Sequence, residues 1–210
     1  MPDDPALLRL FPQAYPEDPE ASADFRRFTE RSLRETKLAH ASTVQDTLRR
    51  SGDTIVLSKP LGSGIVTTAA KNDAASPDEL AAAIEAMQTL NRAAAEAGMA
   101  AGVRCATDIT GFGLVGHLMH IARASQVLIE IDAQSLPTLP GVQRLIELGN
   151  APGGAAKNRQ FVQESLEVAP TVEAWRLELV CDPQTSGGLA LVGNEPPSEY
   201  PRIGRVLPGK

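Results

Sequence analysis

The sequence predicts a layered domain of the α/β or α+β class, because strand-like and helix-like segments alternate from about residue 51 to residue 210. Hydrophobic residues make up 42% of the 210 residues, which is enough for a sizeable core. Aromatic residues contribute only 4%, so this core is built mainly from Leu, Ile, Val and Ala. Tight aliphatic packing of this kind suits helices layered on a sheet.

Charge and hydropathy exclude two classes of partner. The formal net charge is −6, and the adjacent basic pairs are Arg26–Arg27 and Arg49–Arg50, whereas nucleic-acid binding demands clustered Lys and Arg. No apolar run approaches the length of a membrane span. The first residues lack the basic start and apolar core of a signal peptide. We therefore expect a cytoplasmic protein with neither nucleic acid nor membrane as its partner.

The N-terminal segment differs in composition from the rest of the chain. Five prolines lie within residues 1–22, and proline has no backbone donor, so we predict a tail or extended arm without long regular elements. Residues 24–50 read as a helix with a thin apolar stripe. We predict a division into a proline-rich arm with a helical extension, residues 1–43, and a main domain, residues 44–210.

Local patterns predict the elements of the main domain. A β-branched run predicts a strand at Thr54–Ser58. Ser76, followed by proline and two acidic residues, predicts the start of a helix that runs to Gly98, where glycine can end it. Further strands are expected at 103–105, 127–131, 176–181 and 189–192, further helices at 65–71, 113–125 and 141–148, and a glycine-rich loop at 151–154.

The run from Thr107 to Gly113 places a carboxylate, Asp108, between a strand and a helix. A carboxylate at a strand end could hold a Mg²⁺ or Mn²⁺ ion that bridges substrate phosphates, and Gly111 and Gly113 would allow a ligand to approach the backbone. The alternative is that Asp108 or Thr110 caps the helix and the glycines only make the turn. Both interpretations remain open from the residues alone.

Other residues that could bind a ligand or take part in catalysis give weaker indications of function. The loop 182–188 is either an anion-binding concavity of backbone amides or a hairpin connection. His117 and His120 lie three residues apart on a predicted helix, but no third ligand accompanies them, and His120 could equally face solvent or a neighbouring helix. Cys105 and Cys181 are expected to be free, buried thiols, and no side chain stands in a nucleophile setting.

Four segments in order resemble motifs of the selenophosphate synthetases. They are motif 1 (residues 57–65, Leu-Ser-Lys-Pro-Leu-Gly-Ser-Gly-Ile), motif 2 (106–118, Ala-Thr-Asp-Ile-Thr-Gly-Phe-Gly-Leu-Val-Gly-His-Leu), motif 3 (152–158, Pro-Gly-Gly-Ala-Ala-Lys-Asn) and motif 4 (181–189, Cys-Asp-Pro-Gln-Thr-Ser-Gly-Gly-Leu). Residues 203–209 resemble the terminal strand of that family. The resemblance covers roughly residues 44–209 and identifies the C-terminal domain of the family.

This resemblance implies a fold and a chemistry. The fold is α+β, with a mixed sheet packed against helices, like the C-terminal domain of aminoimidazole ribonucleotide synthetases. The activity is formation of selenophosphate from selenide, water and ATP with Mg²⁺. Asp108 matches the metal-binding aspartate that this domain supplies. The resemblance assigns no catalytic residue and no ATP-contacting residue to this chain.

The departures from the family pattern limit that implication. The N-terminal segment with the reactive Cys or selenocysteine, the lysine and the other metal-binding aspartates has no counterpart here, and Ala155 replaces a usual threonine. We therefore expect an inactive isolated chain that needs a separate N-terminal-domain partner or forms a homodimer. The alternatives are a non-catalytic phosphate-binding or protein-interaction module and another enzyme of the wider superfamily.

Overall fold

One sheet organises the protein, and it has seven strands within the part of the chain that the structure describes. The computed structural model describes residues 6–12, 52–103 and 105–209. The strands are β1 (Leu7–Leu10), β2 (Thr54–Leu57), β3 (Cys105–Asp108), β4 (Val127–Asp132), β5 (Leu166–Val168), β6 (Leu189–Gly193) and β7 (Arg202–Pro208). They lie in the order β3-β6-β2-β7-β4-β1-β5, and each of the pairings between them is antiparallel. A parallel pairing occurs as the isolated bridge between Leu61 and Thr138.

Helices cover both faces of this sheet, unequally. They are α1 (Ser63–Lys71), α2 (Pro77–Gln88), α3 (Arg92–Ala100), α4 (Gly113–Ser125), α5 (Val142–Glu147), α6 (Gly153–Val162) and α7 (Ala174–Cys181), with a 3₁₀ turn at Ala133–Ser135. Together with the sheet they give the α+β architecture that the sequence predicts. None of the helices in the described part of the chain is long and apolar enough to cross a membrane.

Alternation along the strands separates two hydrophobic clusters. Ile55 and Leu57 of β2 belong to the large core under α1 and α4–α7, whereas Val56 points to the other face and joins a small cluster with Leu191 and Ala94 of α3. This is the period of two expected of a strand whose side chains alternate between faces. The large cluster lies on one face, and α3 covers part of the other.

The predicted helix from Ser76 to Gly98 is wrong in one respect, because it is two helices. Ser76 caps α2 as expected, with its Oγ accepting from Glu79 N and the Glu79 carboxylate accepting from Ser76 N. The backbone turns extended at Thr89, φ −64 and ψ 120, where the Lys59 ammonium donates to the Thr89 carbonyl at 2.5 Å. Gly98 does not end α3 but lies inside it, against Leu191 on the second face of the sheet.

Two further predictions near the C-terminus are corrected. Residues 176–181 were expected as a strand and belong to α7, where the consecutive residues Leu179, Val180 and Cys181 are buried because the helix packs against α4, α5 and α6. The expected glycine-rich loop at 151–154 contains the start of α6, with Pro152 at its N-cap. Loop 182–188 therefore joins a helix to a strand, which excludes the hairpin alternative.

The N-terminal segment contributes a strand that the sequence did not reveal. Leu7–Leu10 form β1, paired with β4 on one side and β5 on the other, and Leu8 and Leu10 are fully buried. A strand of four residues is compatible with the absence of long elements, but it belongs to the sheet. The predicted helix at 24–50 and the boundary at residue 43 lie outside the described residues, so the division of the chain stays a prediction.

Candidate functional site

Motif 4 is the point where the other three motifs meet. Its loop joins motif 2 through two backbone hydrogen bonds, from Ile109 N to Gly188 O and from Gln184 N to Thr110 O, both 2.9 Å. It joins motif 1 through Ser58, whose hydroxyl accepts from Leu189 N at 2.8 Å. The glycines of the loop permit this closeness, since a Cβ on Gly187 would lie 2.1 Å from the Ile109 carbonyl oxygen.

Asp108 lies at the rim of this junction. It is the last residue of β3 and pairs with Leu189, so its side chain is on the sheet face that carries Leu189 and Leu191. The side chain is half-buried, and within the described residues its carboxylate accepts no hydrogen bond and forms no ion pair. An uncommitted carboxylate at a strand end is available to a cation from outside the domain.

The helix-cap alternative for motif 2 finds no support in the geometry. The N-cap of α4 is Phe112, and neither Asp108 nor Thr110 caps the helix with its side chain. The Thr110 carbonyl accepts from Gly113 N at 3.1 Å and so closes the turn. Gly113 has φ 66, and a Cβ there would meet the Val180 and Cys181 carbonyl region, so glycine is needed for the turn to pack on α7.

His117 reaches back from α4 to the turn on either side of Asp108. Its Nε2 accepts from Thr110 N at 3.1 Å and lies 3.0 Å from Thr110 Oγ1, while its Nδ1 lies 3.5 Å from Thr107 Oγ1. An amide can only donate, so Nε2 is the acceptor and the ring proton of the neutral imidazole is on Nδ1. Burial lowers the pKa of His117, against the opposing effect of the Asp108 charge, in keeping with a neutral ring.

Asp182 and Gln184 of motif 4 hold the N-terminus of α1. Asp182 Oδ2 accepts from Gly64 N at 3.1 Å and Ile65 N at 3.3 Å, and Gln184 Oε1 accepts from Gly62 N at 3.1 Å and Ser63 N at 3.3 Å. The first-turn amides of a helix have no partner within the helix, so these two side chains satisfy them from about 120 residues away. Motif 1 and motif 4 are thus a single structural unit.

The burial of Asp182 affects its ionisation. The residue is fully buried, and burial raises the pKa of its carboxyl to about 7, although hydrogen bonds from Gln184, Ile65 and Gly64 oppose the shift. Gln184 Nε2 donates to Asp182 Oδ2 at 2.7 Å. The carboxyl group that accepts from the Gly64 and Ile65 amides therefore has a pKa near neutrality.

Lys59 and Asn91 fix the exposed tip of the loop. The Lys59 ammonium donates to the Ser186 carbonyl at 2.8 Å as well as to Thr89, and Asn91 Nδ2 donates to the Gly187 carbonyl at 2.9 Å. Burial lowers the pKa of Lys59. Ser186 has φ 49, a left-handed conformation that costs a serine of the order of 1 kcal/mol. These two donors therefore hold a strained tip beside motif 2.

Motif 3 supplies a single asparagine to the junction. Asn158 Nδ2 donates to the Gly111 carbonyl at 2.8 Å and to the Cys181 carbonyl at 3.0 Å, so it joins motif 2 to the start of motif 4.

The anion-binding hypothesis for loop 182–188 requires backbone amides that have no other acceptor. The amide of Thr185 donates to Ser63 Oγ at 3.0 Å and is therefore not available to an anion. An anion-binding role for the remainder of the loop, at Ser186 and Gly187, stays a prediction.

His120 has a different environment from His117. Its ring packs on Phe112 and Phe161, with centroid distances of 5.8 and 5.6 Å, and burial lowers its pKa to about 3. Both phenylalanines are partly exposed, 42% for Phe112 and 38% for Phe161. Within the described ranges no three His, Cys, Asp or Glu side chains form a group that could hold a metal, so the histidine pair does not make a metal site there.

The two cysteines are free and buried, as expected from the sequence. Burial raises the pKa of each thiol to about 12. Cys105 lies on β3, but Cys181 ends α7 rather than lying on a strand. Neither thiol is suited to nucleophilic chemistry, because the thiolate is the reactive form.

The fold and the site together define the class of protein. It is an α+β domain whose loops meet beside the turn that carries Asp108. The chain belongs to the family described as AIR synthase related protein, C-terminal domain, whose model matches residues 50–208. This match confirms the predicted fold class. A second family model, described as a domain of unknown function (DUF2017), matches residues 1–66.

Within this wider family, the chain is similar in sequence to relatives named selenide, water dikinase. The protein of that name from Bordetella bronchiseptica is 44% identical over 149 residues, which cover 71% of this chain and 42% of the relative. That from Caldanaerobacter subterraneus subsp. tengcongensis is 36% identical over 175 residues, covering 82% of this chain and 51% of the relative. The resemblance to selenophosphate synthetases is confirmed, and the chain spans about half the length of these relatives.

Solved structures of thiamine monophosphate kinases are more distant. The enzyme from Aquifex aeolicus is 16% identical, with a TM-score of 0.47 over 78% of this chain and 50% of that chain. The enzyme from Stenotrophomonas maltophilia K279a is 18% identical, with a TM-score of 0.47 over 78% of this chain and 51% of that chain.

Proposed function

We propose that this domain is the C-terminal half of a selenide, water dikinase, which forms selenophosphate from selenide and ATP when an N-terminal half completes the site. One observation carries the proposal: the four motifs meet at a single junction beside Asp108, in a chain 36–44% identical to relatives of that name. Asp182, Gln184 and Asn158 serve this junction structurally. Asp108, by contrast, is an acidic side chain of the junction with no hydrogen bond or ion pair among the described residues.

Asp108 fits the role of one ligand to a Mg²⁺ ion. Its carboxylate is half-buried and uncommitted among the described residues, and Mg²⁺ in phosphate-transfer sites is bound through one or two carboxylates together with substrate phosphates. When bound, the ion would neutralise charge on the phosphates of ATP. Within the described residues no group of three or more His, Cys, Asp or Glu side chains could hold the ion, so the remaining ligands would come from the N-terminal half.

This proposal includes the inactivity of the isolated chain. Phosphoryl transfer requires phosphates held by metal ions and a positioned nucleophile, and one carboxylate provides neither alone. An N-terminal-domain partner is therefore the partner that the proposal requires, while a homodimer and a cytoplasmic location stay predictions. ATP belongs to the completed site, whereas this domain by itself offers a divalent cation one carboxylate, Asp108, and should bind it weakly.

Reconstitution tests the proposal. The full chain is assayed with ATP, Mg²⁺ and selenide, alone and after addition of the purified N-terminal half of the Bordetella bronchiseptica relative, and AMP and selenophosphate are followed by ³¹P NMR. We expect no AMP from either part alone and selenide-dependent AMP from the mixture. AMP formation by the chain alone would contradict the proposal, as would a mixture that binds into a complex but forms no selenophosphate.

A further inference from the structure

The turn that carries Asp108 is held by a side chain from the following helix. His117 contacts Thr107 on one side of Asp108 and Thr110 on the other, through three contacts of 3.0–3.5 Å. These contacts close a ring from β3 through the turn and back along α4. The position of Asp108 within the ring is fixed at both ends.

The donors and acceptors in this ring form a consistent chain. Thr110 N donates to Nε2, so Nδ1 carries the proton and points to Thr107 Oγ1, which in turn donates to the Asp108 carbonyl oxygen at 3.3 Å. His117 thus holds the peptide group after Asp108 through Thr107 Oγ1, and the peptide group after Ile109 directly through Thr110 N. A protonated or rotated ring would lose the acceptor for Thr110 N.

The contacts of His117 with Thr107 and Thr110 leave the Asp108 carboxylate accessible. Thr107 pairs with Ala190 and Asp108 pairs with Leu189, so their side chains lie on opposite faces of β3. His117 belongs to α4 and is buried on the same face of the sheet as Thr107, whereas Asp108 is directed to the other face and is half-buried. The imidazole can therefore hold the turn without occupying the space where a cation would bind.

We infer that His117 is a positioning residue, which fixes the Asp108 carboxylate for a divalent cation by clamping Thr107 and Thr110. The inference rests on the proposed function, because it gives Asp108 a cation to bind. A ligand held by a buried partner loses about 10–100-fold in metal affinity when the partner is removed. His117 acts through the backbone rather than on the carboxylate, so we expect the lower limit, about 10-fold.

Mn²⁺ binding to the full chain tests the inference through paramagnetic broadening of the Ile109 and Thr110 amide signals, which reports weak binding as well as tight. His117→Phe removes both ring nitrogens and should raise the apparent Kd for Mn²⁺ about 10-fold. His117→Gln keeps an acceptor near the position of Nε2 and should restore most of the affinity. His120→Phe is the matched control on the same helix, and its Kd should equal that of the wild type.

The outcomes separate this inference from the proposed function. Asp108→Asn should abolish the local broadening; if Asp108→Asn broadens like the wild type, or if the wild type shows no broadening, both the metal role and the inference fail. If Asp108→Asn abolishes broadening but His117→Phe binds Mn²⁺ like the wild type, the positioning role alone is refuted. Equal losses in His117→Phe and His120→Phe would show a general loss of structure and refute it too. Imidazole ¹⁵N shifts that place the proton on Nε2 would also overturn it.

Discussion

Gln184→Ala is the substitution that most severely tests the junction between motif 1 and motif 4. Gln184 is 5% exposed, and its amide makes five polar contacts of 2.7–3.3 Å. Its oxygen accepts from Gly62 N, Ser63 N and Ser63 Oγ, and its nitrogen donates to the Asp182 carbonyl and carboxylate. Truncation to alanine leaves all of these groups without that partner.

The expected cost follows from the number of buried groups affected. A buried polar group left unsatisfied costs about 1–3 kcal/mol, and at least two donors of α1 and the carboxylate of Asp182 are affected. Allowing for partial relaxation, we expect a loss of about 3–4 kcal/mol in the free energy of unfolding. This is a large fraction of the roughly 5–15 kcal/mol that stabilises a typical domain.

Urea denaturation followed by circular dichroism measures this loss. Gln160→Ala is the matched control, because Gln160 is exposed on α6 and its replacement should change the free energy by no more than about 0.5 kcal/mol. A Gln184→Ala protein that does not fold at all agrees with the expected direction. A loss of less than about 1 kcal/mol, the net value of one ordinary hydrogen bond, would refute the reasoning.

Two further predictions concern ionisation. Burial raises the pKa of Asp182 from 3.8 to about 7, so the folded protein keeps a proton that the unfolded chain has lost, and the stability that Asp182 contributes falls as the pH rises from about 4 to about 7. Urea denaturation across this range should show the fall in the wild type relative to Asp182→Asn, and identical pH profiles would contradict it. Cys105 and Cys181, with thiol pKa values raised to about 12, should not react with a disulfide reagent at pH 8 until the protein is unfolded, whereas a fast thiol in the native protein would contradict their burial.

Elements whose pattern is local were predictable from the sequence. The helix at 113–125 and the strands near 54–58, 127–131 and 189–192 were predicted within about a residue, because the apolar pattern of each is contained in the segment itself. The α2 start at Ser76 follows from its capping box in the same way. In each case the tertiary packing agrees with the local preference.

Elements decided by distant contacts were not predictable in this way. The short run 176–181 fits a strand or a helix equally, and burial against three helices decides for a helix. The break between α2 and α3 carries no proline or glycine, and the carbonyl of Thr89 instead meets Lys59 from 30 residues earlier. β1 is a strand of four residues whose two partners lie more than a hundred residues away in sequence.

The site shows the same division between what is local and what is not. Asp108 was identifiable because a carboxylate stood between a strand and a helix. The sequence places Asp182, Gln184 and Asn158 within motifs but does not indicate their roles. Their side chains satisfy backbone groups that are far away along the chain. His117 was considered as a metal ligand, and its geometry instead makes it a partner of the two threonines beside Asp108.

The most direct test of the central claim is the rate of selenide-dependent AMP formation in the reconstituted mixture, compared between Asp108→Asn and Asp73→Asn chains. Both substitutions remove one negative charge, and Asp73 is exposed just beyond the C-terminal end of α1, in a left-handed conformation that asparagine tolerates. Loss of a metal ligand removes several kcal/mol of transition-state stabilisation, so Asp108→Asn should lower the rate at least about 100-fold while Asp73→Asn matches the wild type. Equal rates for the two variants would contradict the assignment of Asp108 as a metal ligand. They would also contradict the proposal that this domain contributes to the active site.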